Sequence, residues 1–165
     1  MAKELSGPHI APGDVAEIYQ VAAIPVGTRM SDDQGNEYIF LLGVASTAVG
    51  SWVTYDESGV TALLATGAVG PVAIAMSASV ADVWGWYQIY GYAIGKGASC
   101  AEVALEDNTT DMGRTSADGT VGGGPTAGDI IYGVVARSAM EAASGNTTTK
   151  FQLSYPWLDA QTAAH

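Results

Sequence analysis

The chain has one cysteine, two histidines and six basic residues in 165, and each scarcity removes a class of function. With Cys100 alone no internal disulfide can form, and its setting, Ala98-Ser99-Cys100-Ala101, reads as a small buried residue rather than a reactive thiol. His9 lies in a proline-spaced stretch and His165 at the last position. Neither place offers neighbours to orient a general base, so Ser-His-Asp and Cys-His devices are not expected. Zinc needs about three or four Cys, His or carboxylate ligands at suitable spacing, which this inventory does not supply. We expect a non-enzyme with no metal and no cofactor.

Positive charge is equally sparse. Lys3, Arg29, Lys96, Arg114, Arg137 and Lys150 are spread singly, and the net charge is −11. Without a basic run there is no surface to track phosphates, so nucleic acid is excluded as a partner. An acidic surface is repelled by anionic lipid as well. Residues 59–81 carry no charge and are long enough to span a bilayer on length alone. Gly67, Gly70, Pro71 and several Ser and Thr fit two strands about a turn better, so no membrane span is expected. The first residues lack a basic region followed by an apolar run, so no secretory leader is expected either.

What is present points to β structure. The chain is 48% apolar but only 14% charged, against roughly 25% charged in a typical soluble domain. That balance fits an exterior coated by the plentiful Ser, Thr, Gly and Asn, or a surface partly covered by partner subunits, and it favours an oligomer. Glycine and proline punctuate short apolar runs, which predicts an all-β sandwich or barrel. Strands are predicted at 16–24, 37–44, 51–55, 60–64, 72–77, 84–94, 98–105, 130–137 and 150–155. Ser31-Asp32-Asp33-Gln34-Gly35-Asn36 and Asp56-Glu57-Ser58-Gly59 read as hairpin turns. A short helix is predicted at 138–144, with Ser138 and Glu141 placed as a capping box. Residues 106–128 form a long Gly/Asp-rich loop or add a small hairpin. Residues 1–15, with Pro8 and Pro12, read as an extended N-terminal arm on a single β-rich domain, 16–165.

The chemical motifs are weak. Asp32-Asp33-Gln34-Gly35-Asn36-Glu37 lacks the spacing of a calcium loop, and Asp107, Thr109 and Asp111 are followed by Met112 where glycine is needed, so both read as solvated turns. Gly122-Gly123-Gly124-Pro125-Thr126-Ala127 leads into a strand rather than a helix, which rules out a dinucleotide fingerprint. Asp56 with Glu57, and Glu106 with Asp107, are adjacent pairs at turns and read as surface charge rather than a glycosidase pair. Ile89-Tyr90-Gly91-Tyr92-Ala93 is faintly echoed by Ile131-Tyr132-Gly133-Val134-Val135.

The strongest signal is Trp84-Gly85-Trp86-Tyr87-Gln88-Ile89-Tyr90-Gly91-Tyr92. In extended form Trp84, Trp86, Gln88, Tyr90 and Tyr92 share one face. Three readings compete. The rings fill the core, above all Trp86 and Tyr90; or they form a subunit interface; or they form a sugar-stacking platform.

Together with Gly27-Thr28-Arg29, Thr66-Gly67-Ala68-Val69-Gly70-Pro71, Ala127-Gly128-Asp129 and Leu153-Ser154-Tyr155-Pro156-Trp157, this strand resembles the small β-rich head proteins of tailed phages, the capsid decoration or cement proteins. The resemblance spans most of residues 27–157 through short motifs. It implies a structural virion protein on the outer capsid surface that bridges capsomers. Its implied partner is the major capsid protein, and it implies a homo-oligomer, with a trimer favoured. The interface residues expected on that reading are Leu5, Ile10 and Val15 in the arm, Tyr155, Trp157 and Leu158 in the tail, and Trp84, Trp86, Tyr90 and Tyr92 in the aromatic strand. The alternative is a carbohydrate-binding β-sandwich that uses Trp84, Trp86 and Trp157.

Overall fold

A computed structural model describes residues 4–7, 10–22, 24–79, 81–97, 112–115, 119–122, 130–137 and 147–159. These residues are all-β, with no helix among them. The strands are β1 (Glu4–Gly7), β2 (Ile10–Asp14), β3 (Ile18–Tyr19), β4 (Arg29–Ser31), β5 (Glu37–Leu42), β6 (Trp52–Tyr55) and β7 (Thr61–Leu63). They continue with β8 (Gly70–Ala75), β9 (Trp84–Gly97), β10 (Met112–Thr115), β11 (Val121–Gly122), β12 (Ile130–Ala136) and β13 (Thr147–Leu158). All belong to one sheet, in the order β2-β1-β4-β5-β9-β11-β10-β12-β13-β8-β6-β7, with β3 on β9. Further pairings of β9 with β13 and β8 make β9 the hub. Every strand pair is antiparallel except β11 with β9.

The apolar runs explain this arrangement. Tyr38, Ile39, Phe40 and Leu41 are consecutive and all buried, so β5 is covered on both faces. Tyr38 and Phe40 enter one core with Val15, Met30 and Trp86. Ile39 and Leu41 enter a second with Val53, Ala73, Ala75, Tyr87 and Ile89. The same alternation in β6 and β8 sends Trp52, Val72 and Ile74 to a third core with Phe151, Leu153 and Leu158. There the Trp52 and Phe151 rings meet edge to face, with centroids 4.9 Å apart.

One strand expectation is corrected. Among the described residues of 16–24 only Ile18–Tyr19 pairs, and Val21 is exposed. Within the stretch read as an extended arm, β1 and β2 form a hairpin. β1 pairs β2, and β1 joins the sheet at Ser6↔Ser31 of β4. β2 is the last strand of the sheet, the kind of edge position in which proline is tolerated, and it holds Pro12. β10 and β11 form a small antiparallel pair within the 106–128 region. The predicted strand 98–105 and helix 138–144, together with His9, Cys100 and His165, lie outside the described residues.

The turn at 31–36 is no mere solvated turn. Asp32 is buried, and its Oδ1 accepts the backbone N–H groups of Gln34 and Asn36, each at 2.9 Å. Its Oδ2 accepts Asn36 Nδ2 at 2.7 Å and the Tyr38 hydroxyl at 2.9 Å. Burial alone would raise the Asp32 pKa, but the hydrogen bonds from Asn36, Tyr38 and Gln34 outweigh it and hold the carboxyl below its usual range. Asn36 Oδ1 then accepts the Tyr92 N–H at 3.0 Å, so this turn grips β9 from the side.

Candidate functional site

The aromatic strand changes character along its length. Trp86 and Gln88 are buried, Trp86 in the core with Val15, Met30, Tyr38 and Phe40, and Gln88 between Tyr38 of β5 and Ile74 of β8. Tyr90 and Tyr92, further along the same face, are exposed. The register shifts between Glu37 and Tyr38 against β9, and Gly91 follows with φ +92. A Cβ at Gly91 would fall on the Asn36 side-chain amide, so only glycine fits between that turn and β9.

β13 contains a second break. Tyr155 has φ +47, unusual for a residue with a side chain, and the alternation of β13 shifts there. Ser154 and Tyr155 both face solvent, Pro156 is buried, and Trp157 faces out again. On β12, Tyr132 pairs with Trp157 and Val134 with Leu153, with Gly133 at φ +76 between them. On β9, Tyr90 pairs with Ser154 and Gly91 with Leu153. The two Ile-Tyr-Gly segments thus flank the kink in β13 from either side. Their echo has a structural basis.

Two surface features result. The first is a cleft of about 550 Å³ lined by Arg29, Tyr55, Asp56, Glu57, Tyr155 and Trp157, among others. Its Tyr155 ring is fixed from three sides. It packs on Tyr90 with centroids 5.2 Å apart and 31° between planes, and its hydroxyl donates to Glu37 Oε1 at 2.9 Å. Arg29 Cζ lies 5.9 Å from its centroid, within cation–π range. The hydrogen bond to the Glu37 carboxylate raises the Tyr155 pKa. Burial raises that of Tyr55, against which the Arg29 guanidinium acts.

The second feature is the outward face of β9, β13 and β12. Tyr92, Gln152 and Val135 form one row across the three strands. Ile94 and Lys150 pair in the next row, and the Arg137 N–H donates to the Lys150 carbonyl at 2.7 Å. Lys96 pairs with Thr148 beyond them. Tyr92 is 65% and Ile94 59% exposed, so this face is both apolar and cationic. It carries three of the six basic residues of the chain. A groove of about 610 Å³ runs beside it, walled by Val49, Met76, Arg137 and Lys150. Gln88 lines the groove, donating from Nε2 to the Tyr90 and Tyr92 carbonyls at 3.0 and 2.9 Å.

The expected interface residues therefore divide. Tyr90, Tyr92, Tyr155 and Trp157 are exposed. Tyr90 is thereby corrected from a core reading, because β5 ends opposite it and covers nothing beyond. Trp86, Val15 and Leu158 are buried in the chain's own cores and have no side-chain surface to offer a partner. Trp84 is half-buried against the Trp86 core. Leu5 and Ile10 lie on the β1–β2 hairpin at the sheet end. Arg29, Tyr55, Asp56, Val135, Arg137 and Lys150 were not expected. They come from distant strands that only the pairing of the sheet brings together, although the repeated Ile-Tyr-Gly could have marked Tyr132. Among the described residues, no group of three or more His, Cys, Asp or Glu comes together. No protein-family model, curated protein or solved structure matches the chain.

Proposed function

We propose that this chain is a non-enzymatic structural protein that decorates the outside of a phage capsid and stabilises it by bridging capsomers. The observation that carries the reading is the face of β9, β13 and β12, where Tyr92, Ile94 and Val135 stand exposed among Lys96, Arg137 and Lys150. In a chain of net charge −11, half of the basic residues gathered on one apolar face make a docking surface for a partner with an acidic rim. The sequence resemblance points to a major capsid protein as the partner, and the mixed apolar and cationic character of the face supports attachment through it. A homotrimer would set several such faces on neighbouring capsomers at once and gain from multivalency. Binding to the expanded shell alone would stabilise it by mass action.

Co-sedimentation with expanded shells and unexpanded proheads of the encoding phage tests the proposal. Saturable binding to expanded shells, lost in Ile94→Asp, is expected. Equal binding by Ile94→Asp, or none by the unaltered protein, would overturn it.

A further inference from the structure

We infer that the cleft between Arg29, Asp56, Tyr155 and Trp157 is a binding site for neutral or N-acetylated pyranose sugars. This goes beyond capsid docking and uses other residues, since the linings of the cleft and of the groove beside Tyr92 have none in common. The cleft volume of about 550 Å³ lies within the rough range of 300–1,000 Å³ typical of small-molecule sites.

Its chemistry matches a sugar ring. A pyranose has an apolar face of C–H groups and an equatorial rim of hydroxyls. Tyr155 and Trp157, about half exposed at 49% and 48%, offer the π surface against which such a face packs. Arg29 offers donors to ring and hydroxyl oxygens, and Asp56 and Glu57 offer charged acceptors to hydroxyl protons. Asp56 is itself positioned, because its Oδ1 accepts the N–H groups of Ser58 and Val60, each at 2.9 Å. Among the described residues no hydrogen bond engages its Oδ2, which can serve a ligand.

Preorganisation is the second argument. The left-handed backbone of Tyr155 is strained for a residue with a side chain and persists only where the surroundings hold it. Tyr90, Glu37 and Arg29 hold its ring in place here, although that ring is about half exposed. A ring already fixed loses little freedom when a ligand stacks on it. Charge then selects among sugars. Two carboxylates against one guanidinium leave the lining negative, so uronates and sialic acids are disfavoured.

Saturation-transfer difference NMR on the intact protein tests this, with maltohexaose, cellohexaose, mannohexaose and chitohexaose as neutral probes and hexagalacturonate as the acidic one. Saturable transfer to at least one neutral probe is expected. Trp157→Ala and Arg29→Gln should each weaken it about tenfold or more with thermal unfolding of the protein retained. Ile94→Asp should leave it unchanged, which separates this site from capsid docking. Lack of transfer to all four neutral probes at millimolar concentration would overturn the inference. So would binding that survives both cleft variants, or a preference for hexagalacturonate.

Discussion

Replacing Asp32 by alanine tests whether a buried carboxylate organises the surface that carries Tyr90 and Tyr92. The substitution takes the acceptor from two buried side-chain donors, Asn36 Nδ2 and the Tyr38 hydroxyl, at about 1–3 kcal/mol each. It also unties two turn amides, at about 0.5–1.5 kcal/mol each. A loss of about 3–9 kcal/mol is expected, a large fraction of the roughly 5–15 kcal/mol that holds a domain folded. Urea denaturation measures it. The double variant Asp32→Ala/Tyr38→Phe should be less destabilised than the sum of its singles by about 1–2 kcal/mol, because the hydroxyl is no longer present to lose its acceptor. The pH dependence has a fixed sign. A carboxyl held below its usual value contributes fully above the unfolded pKa, about 3.9, and its contribution fades as pH falls through the folded value. The stability gap between the protein and Asp32→Ala is therefore widest near neutrality and closes below about pH 4. Strict additivity in the cycle, or a gap that widens in acid, would refute the reasoning.

Other expected outcomes follow from the same geometry. Gly91→Ala meets the Asn36 side chain at φ +92 and should cost about 1–3 kcal/mol in the same denaturation assay; a neutral effect would contradict the close approach. Phe151→Ala empties the space beside Trp52 in a fully buried core and should cost about 3–5 kcal/mol, with loss of near-ultraviolet dichroism from Trp52. Arg137→Gln combined with Lys150→Gln should weaken shell binding and flatten its salt dependence; an unchanged salt slope in co-sedimentation would remove the electrostatic part of the docking account.

Much of the fold was legible because its signals are local. The runs at 37–42 and 84–94 are long, apolar and bounded by turn residues, and both are strands. β13 begins at Thr147, three residues before the predicted start, because Thr147, Thr148 and Thr149 are β-branched and pair along β9. The partition of Trp86 from Tyr92 was not legible. It depends on where β5 ends against β9, a long-range register that no window of sequence contains. The cleft was legible only in its tail residues, Tyr155 and Trp157. Arg29 and Asp56 reach it from β4 and from the turn after β6. The role of Asp32 was hidden for the same reason. An aspartate in a polar turn looks solvated until the neighbouring strands close over it.

The docking face is tested most directly by hydroxyl-radical footprinting of the protein free and bound to expanded shells. The account predicts that oxidation of Tyr92 and Ile94 falls sharply on binding, while that of Trp157 in the cleft persists. Undiminished oxidation of Tyr92 and Ile94 on occupied shells would contradict it.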